Sequence, residues 1–123
     1  KLMVRKGIEV TDANILIMGL AFKENCSDIR NTRVVDLVNE FQGSNCNIDV
    51  YDPCVNKDDA NDEYNIKLIE QPIKGKYDAI VLAVAHDIFK DFSIEQIKDF
   101  GKDNYVLYDI KYLFGNNEVD GRL

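Results

Sequence analysis

The chain has 123 residues, about one domain's worth, and Leu, Ile, Val and Phe make up roughly a third of it, enough for a single packed core. Lys and Arg total 15 against 22 Asp and Glu, a net charge of −7. That balance argues against holding nucleic acid or an anionic membrane surface by a general field, and no apolar run approaches the ~20 residues of a membrane-spanning helix. In chain order, residues 1–13 do not fit a core pattern and read as the end of a preceding segment or a linker. The run from Asn14 to Leu20 is continuously apolar and closes on Gly19, which predicts a strand covered on both faces. Residues 30–42 place Val34, Leu37, Val38 and Phe41 on one stripe of a helix, with Asp28 as N-cap and Gly43 as a left-handed stop. Residues 47–51 alternate and end at Asp52-Pro53, a second strand broken by a turn. A polar loop or short helix follows over 56–65, then a short edge strand over 66–69.

The strongest strand pattern spans 77–85, flanked by Gly75 and by His86-Asp87. Ser93 with Gln96 three residues on predicts a capping box opening a helix over 93–100. A last strand covers 105–110, and the tail from Gly115 to Gly121 is polar. Buried strands alternating with helices imply an α/β, three-layer Rossmann-like domain with a mostly parallel sheet. Three cysteines, Cys26, Cys46 and Cys54, form neither a disulfide framework nor a zinc motif. Reduced thiols in a cytoplasmic protein are expected, with no metal. No secretory pattern opens the chain. The first residue is Lys, and the expectation is that the sequence begins inside a longer reading frame.

Ligands of such sheets bind beyond the carboxyl ends of the strands. The first such loop, from Gly19 to Arg33, carries one glycine where a dinucleotide fingerprint needs three, with Phe22 and Lys23 where the backbone would approach a pyrophosphate. It is no ordinary NAD cradle. Lys23, Arg30 and Arg33 beside a helix start are either a solvated basic surface or an anion site, and Phe22 has a ring to stack on a base or sugar. Lys111, after the last strand, belongs to the same rim. His86 reads either as a loop histidine capping backbone groups or as a base for Cys26, and Asp52-Pro53 as a turn.

At this loop the sequence resembles a known family. The segment 17–32, from Ile17-Met18-Gly19 through Phe22-Lys23-Glu24-Asn25-Cys26 to Asp28-Ile29-Arg30-Asn31-Thr32, is similar to the signature of the C-terminal, UDP-binding domain of UDP-glucose/GDP-mannose dehydrogenases. Val50-Tyr51-Asp52-Pro53, Tyr77-Asp78-Ala79-Ile80 through Val84-Ala85-His86, and Asp109-Ile110-Lys111 follow in the family's order, so the resemblance covers 14–123. The loop looks closest to the branch that oxidises UDP-N-acetylhexosamines for capsule and O-antigen sugars. The resemblance implies an NAD-dependent oxidation of the C6 alcohol of a UDP-N-acetylhexosamine or UDP-glucose to a carboxylate, through a cysteine thiohemiacetal, for polysaccharide biosynthesis. It implies that the cysteine and most of the NAD site lie in parts of the enzyme outside this chain. Phe22, Lys23 and Lys111 would touch the UDP-sugar, and Arg30 would reach NAD on an N-terminal domain of the full-length polypeptide. No catalytic residue is assigned here, so the chain alone is expected to be inactive, within a homo-oligomer. The alternatives are a stand-alone nucleotide-binding module or an oligomerisation domain.

Overall fold

The computed structural model describes residues 1–111, 113–115 and 117–122. Strands β1 (Asn14–Met18), β2 (Asn47–Tyr51), β3 (Tyr77–Leu82), β4 (Gly101–Asp109) and β5 (Gly121–Arg122) form one sheet in the order β2-β1-β3-β4-β5. Every pairing is parallel. One face, carrying Ile15, Ile17, Val81 and Val106, packs on Val34 and Val38 of helix α2 (Val34–Gly43) and on Ala60 of helix α3 (Lys57–Tyr64). The opposite face, carrying Leu16, Met18, Ile80, Leu82 and Leu107, packs on Phe89 of helix α4 (Asp87–Lys90) and Ile97 of helix α5 (Ile94–Asp99). Alternate residues of β1 and β3 thus enter two different cores. Both faces are therefore apolar, and all six residues of β3 are buried.

The register brings the carboxyl ends level. Met18 stands opposite both Tyr51 and Leu82, and Leu82 opposite Asp109. After β2 the chain crosses back over β1 to lay down β3, so the strand order reverses between β1 and β3. That is where an open parallel sheet leaves a crevice. Gly19 sits there with φ +109°, and a Cβ on it would lie 2.5 Å from Val84 Cβ and 2.8 Å from the Val84 backbone nitrogen. Only a glycine lets the two strand ends approach this closely.

Several local expectations are corrected. Residues 1–13 join the fold: helix α1 (Leu2–Arg5) buries Met3, Ala13 is also buried, and Lys6 pairs with Asp120 at 2.8 Å and donates to the Tyr105 carbonyl. Helix α2 begins at Val34 because Asn31 is left-handed (φ 62°) and interrupts the turn before it. Asp28 does not cap it; its Oδ1 accepts the Arg30 N–H, while Thr32 Oγ1 accepts the Val34 N–H. The left-handed stop is Asn45 rather than Gly43, which is still helical. The strand expected at 66–69 reduces to one bridge between Leu68 and Val50. Strand β4 begins four residues before 105 because the chain bulges between its pairings at Gly101 and Val106. The capping box forms as read: Ser93 Oγ accepts the Gln96 N–H and Gln96 Oε1 accepts the Ser93 N–H. Asn116 of the polar tail lies outside the described residues.

Gly19→Ala is expected to destabilise the chain by more than about 2 kcal/mol, since it adds a strained φ to a clash that backbone atoms cannot relieve. Urea unfolding measures it, and a loss below about 0.5 kcal/mol would count against the close approach.

Candidate functional site

The level strand ends place Asp52, the 20–33 loop, Ala83 to His86, and Ile110 with Lys111 on one rim. Asp52 follows β2 and its side chain is completely buried. Its Oδ2 accepts the backbone N–H groups of Leu20 (2.7 Å) and Ala21 (3.0 Å), and its Oδ1 accepts that of Cys54 (2.9 Å). His86 follows β3, is equally buried, and lies with Nε2 2.9 Å from Asp52 Oδ2. Its Nδ1 accepts the Asn25 N–H at 2.9 Å. A nitrogen that accepts carries no proton, so His86 is the Nε2–H tautomer and donates to Asp52. Burial pushes the Asp52 carboxyl up, but the hydrogen bonds from His86, Leu20 and Ala21 outweigh it and hold the group below the usual carboxylate range. Phe89 closes the site from beneath, edge-on to His86 at 5.2 Å.

Asn25 completes the link. It is left-handed (φ 56°), and its Oδ1 accepts the Asp87 N–H that opens α4. The Phe22 N–H donates to the Asp28 carbonyl at 2.7 Å, closing the loop on itself. Leu20 and Ala21 are pulled inward, whereas Phe22, 55% exposed, stays on the outside with Lys23 and Glu24.

A pocket of about 380 Å³ opens at this rim. Phe22, Lys23, Arg33 and Lys111, with Glu24 as the one acid, line it over an apolar floor that includes Val84 and Ile110. Arg33 stands at the N-terminus of α2, where the helix dipole adds to the cations. Among the described residues no ion pair engages Lys23, Arg33 or Lys111. Three such cations, one exposed ring and an apolar floor suit an anion joined to a flat group. Of the residues singled out in the sequence, the fold brings Phe22, Lys23 and Lys111 into this one pocket. It leaves Arg30 outside. Arg30 lies over a separate hollow with Asp59, Asp62 and Glu63, and grips Asp28 with Nε–Oδ1 and Nη2–Oδ2 both at 3.1 Å.

The thiols take no part. Cys26 Sγ accepts the Asp28 N–H at 3.3 Å, and both His86 nitrogens are engaged, so the ring has no free nitrogen to act as a base for Cys26. Burial pushes the Cys54 thiol up. Asp52, Cys54 and His86 offer ligand atoms within 4.8 Å of one another, but hydrogen bonds already fill the positions of Asp52 and His86 that a metal would need. Sequence reading missed the Asp52–His86–Asn25 link. Its trace is that a polar residue follows each of the strand patterns at 47–51 and 77–85.

The family model for the UDP binding domain of the UDP-glucose/GDP-mannose dehydrogenase family matches residues 16–116. The chain belongs to that family. It is 49% identical to the UDP-N-acetyl-D-glucosamine 6-dehydrogenase of Pseudomonas aeruginosa and 45% identical to that of Salmonella typhi. Each match covers 100% of this chain and 29% of the relative, so the chain spans under a third of the length of the curated relatives it matches. Among solved structures, an NDP-N-acetyl-D-galactosaminuronic acid dehydrogenase from Methanosarcina mazei superposes with TM-score 0.79 at 20% identity, covering 95% of this chain and 24% of that one. A UDP-D-ManNAc dehydrogenase from Pyrococcus horikoshii superposes with TM-score 0.75 at 24% identity, covering 98% and 27%. These likenesses show the fold. The chain is thus the UDP-binding domain of an oxidoreductase family, built as a three-layer Rossmann-like α/β unit.

Asp52→Asn is expected to cost about 1–3 kcal/mol of stability at pH 7, the range for disturbing a buried charge-assisted hydrogen bond. The folded carboxyl sits below its unfolded value near 3.9, so this contribution is complete above that pH and fades as the pH falls through the folded value. The gap between wild type and variant in urea unfolding should therefore narrow from pH 7 to pH 3. An undiminished gap at pH 3 would contradict an ionised Asp52.

Proposed function

We propose that this domain forms the nucleotide-sugar side of the active-site cleft in an NAD-dependent UDP-sugar 6-dehydrogenase. The enzyme would oxidise the C6 alcohol of a UDP-N-acetylhexosamine to a carboxylate for polysaccharide biosynthesis in the cytoplasm. The observation that carries the reading is the pocket at the reversal of strand order, where Phe22, Lys23, Arg33 and Lys111 converge. In it, Lys23 and Lys111 hold the diphosphate, with Arg33 and the start of α2 adding positive field. Phe22 covers the flat or sugar portion. Lys111 offers a point charge rather than the two-pronged fork of an arginine, so it contributes attraction more than orientation. The 49% identity to a UDP-N-acetyl-D-glucosamine 6-dehydrogenase supports the sugar class.

NAD supplies the hydride acceptor when bound, and this chain's residues do not form its cradle. The 19–24 loop has one glycine, and Phe22 and Lys23 occupy the approach a pyrophosphate would need. The cofactor would sit on an N-terminal domain of the same polypeptide, with residues 14–123 forming the UDP-sugar domain and 1–13 the end of the segment before it, packed onto that domain through Met3 and Lys6. Arg30 would face it across the cleft. Its side chain is 82% exposed, and its pair with Asp28 is a surface fork that solvent weakens. Two facing domains would exclude water and strengthen each charge contact. The parent is proposed to be a homo-oligomer.

Half a cleft is expected to bind UDP near the millimolar range, about −4 kcal/mol. Titration of the ¹⁵N-labelled chain should give saturable shifts in residues 20–33 and beside Lys111. Lys23→Ala and Lys111→Ala should each weaken binding by about tenfold, the worth of one charge-assisted contact, and Arg30→Ala should leave it unchanged. The chain alone should produce no NADH from UDP-sugar and NAD. Shifts that avoid the loop, or none at ten millimolar UDP, would overturn the reading.

A further inference from the structure

The chain from Leu20 to Asp28 has no strand or helix of its own to fix it, yet Phe22 and Lys23 depend on its path. Its outer residues are exposed, and what holds it lies underneath. Asp52 takes the Leu20 and Ala21 N–H groups, His86 takes the Asn25 N–H, and Asn25 Oδ1 takes the Asp87 N–H. The three side chains come from the end of β2, the end of β3 and the loop itself, and a single hydrogen bond from His86 Nε2 joins the first two. Backbone groups on both sides of Phe22 and Lys23 are thus tied to one buried carboxylate–imidazole pair.

We propose that Asp52, His86 and Asn25 are positioning residues for the nucleotide, holding the 20–28 loop in the path that presents Phe22 and Lys23 to the pocket they share with Lys111. This role rests on the nucleotide reading above. None of the three lines the pocket, so each acts through the loop rather than on the ligand. The decisive contact is the acceptor at His86 Nδ1, because it ties the backbone on the far side of Lys23 directly to the carboxylate–imidazole pair, whereas the Asn25 Oδ1 bond reaches only the Asp87 N–H.

Two substitutions separate this role from simple stabilisation of the fold. In His86→Asn, the side-chain oxygen falls where Nδ1 was and still accepts the Asn25 N–H, but nothing reaches Asp52. In His86→Gln, the amide nitrogen falls where Nε2 was and still donates to Asp52, but the Asn25 N–H loses its acceptor. UDP titration, thermal unfolding and amide hydrogen exchange at Asn25 without ligand are measured for both. The expected result is UDP affinity within about twofold of wild type for His86→Asn. For His86→Gln it is a loss of about tenfold, with faster exchange at Asn25 and a thermal midpoint no lower than that of His86→Asn. A His86→Gln chain that binds UDP as wild type does overturns the proposal. Affinity losses that merely follow thermal stability overturn it as well. A wild-type chain without UDP response overturns the nucleotide reading, and that failure is distinguishable because exchange at Asn25 reports on the anchor without ligand.

Discussion

A buried carboxylate is tolerable only if its charge is answered, and Asp52 is answered entirely by hydrogen-bond donors. Backbone N–H groups of Leu20, Ala21 and Cys54 and the imidazole of His86 surround it, with no Lys or Arg paired to it among the described residues. That requirement orders the rim. Leu20 and Ala21 must turn inward at the end of β1, and His86 must present Nε2 rather than Nδ1. The other ring nitrogen is then left to accept from the loop. The direction of one proton, fixed by Asp52, thereby determines which backbone amide the imidazole can receive.

The overall charge of −7 and a pocket lined by three cations coexist because charge is segregated by element. Acid concentrates on α3, where Asp58, Asp59, Asp62 and Glu63 occupy an eight-residue helix on the surface beside Arg30. Lys23, Arg33 and Lys111 gather at the strand ends. At physiological ionic strength fields decay within ~8 Å, so a local cluster governs its own pocket whatever the sum over the chain.

The strands that build the core were legible because both faces of a parallel sheet are buried, and continuous runs such as Ile15 to Met18 and Tyr77 to Leu82 have no other use. The elements that were not legible depend on partners distant in sequence. Strand β5 is two residues defined by pairing with Tyr108 and Asp109, and α4 is four residues opened by Asn25 from 62 positions away. The start of α2 was misplaced because an apolar stripe says nothing about a left-handed Asn31 before it. At the site, Phe22, Lys23, Arg30 and Lys111 entered through resemblance to a family, and spacing alone left each of them open. The Asp52–His86 contact spans 34 positions, and no periodicity encodes a pair of that kind.

The two ends of the sheet differ from its middle in a way that bears on self-association. A parallel sheet left open presents unpaired N–H and carbonyl groups along its outer strands, a template on which another chain can add. On the β2 side, Leu68 bridges to Val50, and the Ile69 N–H donates to the Val50 carbonyl. One residue of contact is enough to seat the following segment along that flank. On the other side Gly121 and Arg122 of β5 pair with Tyr108 and Asp109, the last two residues of β4. The apolar centre of the sheet thus lies between a flank bridged at Val50 and a flank whose pairing with β5 is confined to the carboxyl end of β4, next to the crevice.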